Sequence, residues 1–254
     1  FSLQRVDLVH LARTIRHAGK VETLAGLRSD IRLLVDRMLA HGASSTQITH
    51  IVTLLNDHTV CRVIELTLED MGDPDIPFTW LCFGSEGRRE QTLHTDQDNG
   101  ILFEAAGPAE AAAIRQRLLP LARAINQALD QCGFPLCEGN IMASNPELCL
   151  TVDEWREKFS SWIREPHPEA LLNATIFFDF RVLYGDEKVA HQLRHWLLAL
   201  TGGNPAFLKA MATNALDVAP PLGKIRDFVT DDDPKHPGTI DLKKFGARSE
   251  EHTS

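Results

Sequence analysis

No run of 18 consecutive apolar residues occurs in this chain of 254 residues, so no segment reads as a membrane-spanning helix. A basic excess is missing too: 26 Lys and Arg stand against 35 Asp and Glu, a formal net charge of −9. A general nucleic-acid binder normally carries a basic surface, so that class is disfavoured. A small anionic ligand held by a few local arginines is not. Cysteine is sparse: Cys61, Cys82, Cys132, Cys137 and Cys149, with no C-x-x-C pair. An odd number in a chain of this length speaks against a disulfide scaffold and for reduced thiols in a cytoplasmic protein. The Cys132/Cys137 pair reads either as a redox or metal feature or, the favoured reading, as small buried apolar residues. Four enzyme signatures are absent: the G-x-x-x-x-G-K-[ST] phosphate loop, G-x-G-x-x-G, H-E-x-x-H and G-x-S-x-G. There is no internal repeat, no low-complexity tract and no basic-then-apolar leader.

What remains is globular in composition, with 43% apolar and 24% charged residues. Such a length suits one large or two small domains and buries roughly 70–75% of the unfolded surface. The chain begins at Phe1 rather than Met, which reads as a point inside a longer protein. The last residues, Arg248-Ser-Glu-Glu-His-Thr-Ser254, match one reading frame of a widely used sequencing adapter. Segment 248–254 is therefore expected to be a non-native tail.

The first 70 residues read as helices. Leu8, Leu11 and Ile15 share an apolar face before Gly19; a second helix is expected over Val21–His41, and a third from Ser44 or Ser45 through Leu68. Gly72, Pro74 and Pro77 break the rhythm; Asp70, Asp73 and Asp75 lie there without the full spacing of a calcium loop. Phe78–Phe83 is β-like, and a second strand is expected over Asp96–Phe103. Ala109–Cys132 forms a strong helical pattern with Pro120 as a kink point. Leu136–Ala143 is expected as a third strand. From Val152 the chain turns helical, with Trp155, Phe159 and Trp162 forming a core stripe. Helices are expected over Leu171–Tyr184, Lys188–Leu200 and Pro205–Leu216, then an acidic loop at Val229–Pro237. Strands clustered between helical segments give an α+β class. The expected divisions are 1–70 helical, 71–152 the strand-containing core and 153–247 a C-terminal helical domain.

The informative stretch is Gly84-Ser-Glu-Gly-Arg-Arg-Glu-Gln-Thr-Leu-His-Thr-Asp-Gln-Asp-Asn99. A Gly-Ser turn after a strand lets backbone N–H groups approach an anion. With Glu86–Leu93 as a short helix, Ser85 is its N-cap, and the helix N-terminus favours phosphate. Arg88 and Arg89 add charge suited to phosphate oxygens. Asp96 and Asp98, two apart on a strand, face one side. Paired carboxylates repel unless a cation joins them, and Mg²⁺ held by one or two carboxylates plus substrate phosphates is the usual solution. Together the parts imply phosphoryl or nucleotidyl transfer from a nucleoside triphosphate.

This arrangement resembles the polymerase-β-type nucleotidyltransferase superfamily. The longer string looks closest to the nucleotidyltransferases associated with CBS domains, relatives of the N-terminal domain of PII-protein uridylyltransferase. The resemblance continues through Cys137-Glu-Gly-Asn-Ile-Met-Ala-Ser-Asn-Pro146 and Phe178-Asp-Phe-Arg-Val-Leu-Tyr-Gly-Asp186. It implies a small mixed-sheet core between N-terminal helices and a C-terminal helical, substrate-binding-like bundle. It also implies Gly84 and Ser85 on the triphosphate, Asp96 and Asp98 on Mg²⁺ or Mn²⁺, and CBS or cyclic-nucleotide-binding modules upstream.

The family's third carboxylate comes from a neighbouring strand. On Leu136–Ala143 that leaves Glu138, a catalytic or structural acid, with Asn140 on the same face; an amide there ligates metal but is no general base. Asp179 and Arg181, on a predicted helix, either approach the site or form an interhelical ion pair. His94 touches phosphate or stabilises its loop. Glu187, His191 and His195 read as a solvated helix face. The leading expectation is a Mg²⁺-dependent enzyme that moves a nucleoside monophosphate to a hydroxyl, on a PII-like protein acceptor. The alternative is a weak or inactive nucleotide-sensing module, and a helical interaction scaffold stands third. Long apolar helices at both ends leave room for a homodimer.

Overall fold

A computed structural model describes residues 7–216. The expected tail at 248–254 and the acidic loop at Val229–Pro237 lie outside the described residues.

Helix α1 (Leu8–Arg16) is capped by Asp7, whose carboxylate accepts from the His10 N–H at 2.8 Å. The single helix expected over Val21–His41 is two, α2 (Val21–Gly26) and α3 (Arg28–Ala40). The Leu27 N–H turns back to the Leu24 carbonyl at 3.1 Å, and a fresh helical ladder starts from the Leu27 carbonyl. Helix α4 (Ser45–Met71) opens on a capping box between Ser44 and Gln47. Then follow β1 (Phe78–Cys82), the single turn α5 (Gly84–Gly87), β2 (Asn99–Phe103) and α6 (Pro108–Gln131), which runs unbroken through Pro120. A 3₁₀ turn leads into β3 (Cys149–Thr151), α7 (Val152–Arg164), α8 (Pro168–Phe177), β4 (Arg181–Tyr184), α9 (Glu187–Gly202) and α10 (Pro205–Leu216).

The fold is α+β, with one four-stranded mixed sheet in the order β3-β2-β1-β4. Strand β1 runs antiparallel to β2 and β4, while β2 and β3 are parallel. Phe78 lies opposite Phe103, and Trp80 opposite Ile101. These four join Leu55, Val63 and Ile64 of α4 and Leu118, Leu121 and Ile125 of α6 in one hydrophobic core with α1–α3. Each such side chain, fully buried, contributes about 1.5–3 kcal/mol. The alternate residues Leu81 and Leu102 are buried as well, so β1 and β2 are covered on both faces.

Two sequence expectations are corrected. Leu136–Ala143 is a loop, not a strand; the sheet's other members are β3 and β4. The helix expected over Leu171–Tyr184 stops at Phe177, and Arg181–Tyr184 is a strand. Without β4, the backbone of β1 on that side would lack ladder partners, so pairing overrides the local helical pattern.

The described residues form two compact units. One holds the chain up to Trp155 together with Asp179–Leu193, and so contains the sheet. The other holds Arg156–Phe178 and the described residues from 194 to 216. Its core is aromatic: Phe159 meets Phe178 edge-on at 5.4 Å, Trp162 lies 5.3 Å from Phe177, and Phe178 lies 5.8 Å from Phe207. Phe159 of the expected stripe is fully buried there with Trp162 half-buried, and Trp155, which belongs to the first unit, is fully buried as well.

Candidate functional site

The site lies where β1 ends and β2 begins. Gly84 adopts φ +52°, and a Cβ built on it would lie 3.3 Å from the Asp98 Oδ2. A side chain there would be strained and would press on the carboxylate. The turn is shorter than the expected Glu86–Leu93 helix. The Gly87 and Arg88 N–H groups close onto the Phe83 and Gly84 carbonyls at 2.9 and 3.0 Å, and Arg89, at φ +61°, leaves the helical path. Ser85 sits inside the turn rather than capping it; the cap position is Phe83.

What holds the turn is the entry to β4. A Cβ on Gly87 would overlap the Asp179 carbonyl, so only glycine permits this crossing. The Arg88 guanidinium bonds Glu90 at 2.9 Å and Asp179 at 3.4 Å, its side chain 7% exposed. Arg181 donates to both Asp57 carboxylate oxygens at 2.8 and 2.9 Å and to the Glu86 carbonyl at 3.0 Å. Arg181 thereby ties α4, β4 and the Gly-Ser turn together. Arg89 is exposed. Burial, reinforced by Asp57 and opposed by Arg181, pushes the Glu86 carboxyl up to about 8.

Strand β2 starts at Asn99, so Asp96 and Asp98 lie just before it, not on it as expected. The chain there is still tied to β1: the Phe83 N–H donates to the Asp98 carbonyl at 2.9 Å. Asp98 is buried, at 5% exposed, while Asp96 is half-buried. Gln97 and Asn99 are buried, 2% exposed each, and bond the amide of Asn126 on α6. Donor atoms of Asp96, Asp98 and Cys137 all lie within 4.8 Å of one another. Burial, then the two nearby aspartates, pushes the Cys137 thiol up to about 11.

Two carboxylates suit a hard divalent cation whose shell is completed by phosphate oxygens, and a soft sulfur donor adds little to it. The Asp96/Asp98/Cys137 group can therefore hold a metal ion. Glu138 is not among these donors, and neither it nor Asn140 lies on a strand. Both are exposed, and Asn140 turns at φ +56° with its N–H on the Cys137 carbonyl at 2.9 Å. The shared strand face expected for them does not exist. His94 is exposed, and the Glu187–His191 pair stands on a solvated face at 3.8 Å.

Sequence reasoning passed over Gln97, Asn99, Asn126 and Glu86, and favoured a plain buried-apolar reading of Cys137 over a metal one. One signal was available for Asn126: it lies four residues after Ala122, on the buried stripe of α6, where a polar residue needs a partner. Cys137 had none, because the loop that delivers it has no regular structure.

A small sheet of mixed polarity that opens on a Gly-Ser turn, with two carboxylates converging beside that turn, is the architecture of a polymerase-β-like nucleotidyltransferase core. The chain belongs to the nucleotidyltransferase family described as Putative nucleotidyltransferase DUF294, which it matches over residues 29–169. Residues 205–250 match the family described as Putative nucleotidyltransferase substrate binding domain. No curated protein matches the chain. None of its described helices is long and apolar enough to cross a membrane.

Proposed function

We propose that this chain transfers a nucleoside monophosphate from a nucleoside triphosphate to a hydroxyl group. The hydroxyl oxygen bonds the α-phosphorus, the bond from that phosphorus to the β-phosphate's bridging oxygen breaks, and pyrophosphate leaves. The hydroxyl proton passes to solvent. The observation that carries this reading is the convergence of Asp96 and Asp98 beside the Gly84 backbone.

Asp96 and Asp98 would hold Mg²⁺, or Mn²⁺ in its place. A cation there supplies neutralisation of the charge that develops on the phosphates. Gly84 and Ser85 offer backbone to the triphosphate with no side chain in the way at residue 84. Arg89 supplies positive charge at the exposed rim. Arg88, engaged with Glu90 and Asp179, sets the turn rather than reaching out. The acceptor proposed is a hydroxyl on a PII-like protein, as for the uridylyltransferases that the sequence resembles.

A second reading is favoured by one observation: the third member of the donor group is a thiol, Cys137, and no third carboxylate joins it among the described residues. On that reading the core binds nucleotide and turns over slowly or not at all, with neighbouring CBS-type modules reading out occupancy.

Pyrophosphate release from ATP, UTP, GTP and CTP with Mg²⁺ separates them. Release that falls at least about a hundredfold in Asp96→Asn/Asp98→Asn supports transfer. Nucleotide binding without release supports sensing. Wild-type release by the double variant removes both.

A further inference from the structure

We infer that Gln97, Asn99 and Asn126 are positioning residues: one buried amide cluster that sets the spacing of Asp96, Asp98 and Cys137. The inference rests on the proposed metal-dependent reading of that site.

Four segments meet in the cluster. The Gln97 Nε2 donates to the Asn126 carbonyl at 2.9 Å and to the Phe134 carbonyl at 2.8 Å. The Asn126 Nδ2 donates to the Gln97 Oε1 at 2.8 Å and to the Asn99 Oδ1 at 3.0 Å. The Asn99 Oδ1 also accepts from the Ala143 N–H at 2.8 Å, and the Asn126 Oδ1 from the Ser144 N–H at 3.1 Å. Backbone bonds run beside these, from the Gln97 N–H to the Pro135 carbonyl at 3.1 Å and from the Asn99 N–H to the Ile141 carbonyl at 3.0 Å.

Residues 97 and 99 thus clasp both ends of the loop 134–144 that carries Cys137. The residues between and before them, Asp98 and Asp96, are turned to the other side by the two-residue period of extended chain. A buried amide left without partners is costly, so the cluster admits few alternative arrangements. A one-residue slip of this segment would carry the carboxylates toward α6 and take the amides away from their partners. Asn126, about 30 residues distant in sequence, is the fixed point because α6 is anchored in the core by Leu121, Ile125 and Leu129. The three amides bond one another and the backbone of the loop rather than the carboxylates. They act through the carboxylates.

The test is Mn²⁺ binding to the full chain, read by water-proton relaxation, beside thermal unfolding. Asn126→Leu and Gln97→Met are neutral and close in volume, so neither alters the site's charge. Both are expected to remain folded by circular dichroism and to raise the Mn²⁺ Kd about tenfold to a hundredfold. Leu118→Ala makes a cavity in the same helix. It is expected to lower the melting temperature and leave the Mn²⁺ Kd of the folded protein unchanged. Folded Asn126→Leu or Gln97→Met that binds Mn²⁺ as wild type does would overturn the inference. A wild type that takes up no Mn²⁺, or an Asp96→Asn/Asp98→Asn variant that takes it up unchanged, overturns the underlying reading instead.

Discussion

Gly84 turns its Cα toward the carboxylate of Asp98: the next heavy atom from a Cβ placed there is the Asp98 Oδ2 at 3.3 Å. Backbone and carboxylate are thus neighbours across the gap between β1 and β2. That is the geometry required if the turn is to hold phosphate and the aspartate its cation.

Gly84→Ala should accordingly hurt binding more than folding. The left-handed backbone costs an alanine roughly 1–2 kcal/mol. The added methyl must also displace Asp98. We expect a modest fall in unfolding free energy, and a larger loss of Mg²⁺-dependent nucleotide affinity by calorimetry. Equal affinity in the two proteins would show that this approach carries no function.

Gly87→Ala is predicted to behave in the opposite sense. Its methyl meets the Asp179 carbonyl, which is backbone and has little room to move. Overpacking of this kind costs about 1–3 kcal/mol, occasionally more. Urea unfolding should show it as a clear drop in midpoint. A wild-type midpoint would mean that the entry to β4 shifts at little cost.

Arg181→Met removes the fork that joins Asp57 to the Glu86 carbonyl and leaves Asp57 half-buried without its cation. Breaking a buried pair by removing one partner costs about 3 kcal/mol or more. Incomplete burial puts this pair at the lower end. The companion Asp57→Asn/Arg181→Met should recover part of the loss, and a double variant no better than the single would deny the coupling.

Glu86 supplies a pH prediction. Its folded-state value, about 8, is above its ordinary value of 4.5, so the folded chain holds a proton that the unfolded chain releases. Between those values the folded state binds more protons, and stability falls as pH rises through the window. Glu86→Gln carries a neutral group at every pH. Its unfolding free energy should therefore decline less than that of wild type between about pH 5 and about pH 8. Parallel profiles would place the titration elsewhere.

Gly84, Ser85, Asp96 and Asp98 were legible in the sequence because their spacing belongs to one continuous stretch. So were β1, α6 and the Trp155/Phe159 core stripe, whose apolar periods are long or strong. The short strands were not. Arg181–Tyr184 follows directly on the helical run of α8, and its strand character comes from pairing with β1, not from its own residues. Leu136–Ala143 looks like a strand, yet the carbonyls of Pro135 and Ile141 at its ends are taken by the N–H groups of Gln97 and Asn99 in an irregular loop. Glu138 was favoured on that mistaken strand, while Cys137, one residue earlier, meets the aspartates. Asn126 and Arg181 act across long gaps in sequence, where no local pattern records a contact.

The central claim, that Asp96 and Asp98 beside the Gly84 turn make a cation-dependent triphosphate site, meets its most direct test in calorimetric titration of ATP, UTP, GTP and CTP with and without Mg²⁺. The full chain is compared with Asp96→Ala/Asp98→Ala. The account predicts Mg²⁺-dependent binding of at least one nucleotide, lost in the double variant while its fold is retained. Binding that survives in the double variant, or that needs no divalent ion, would contradict it.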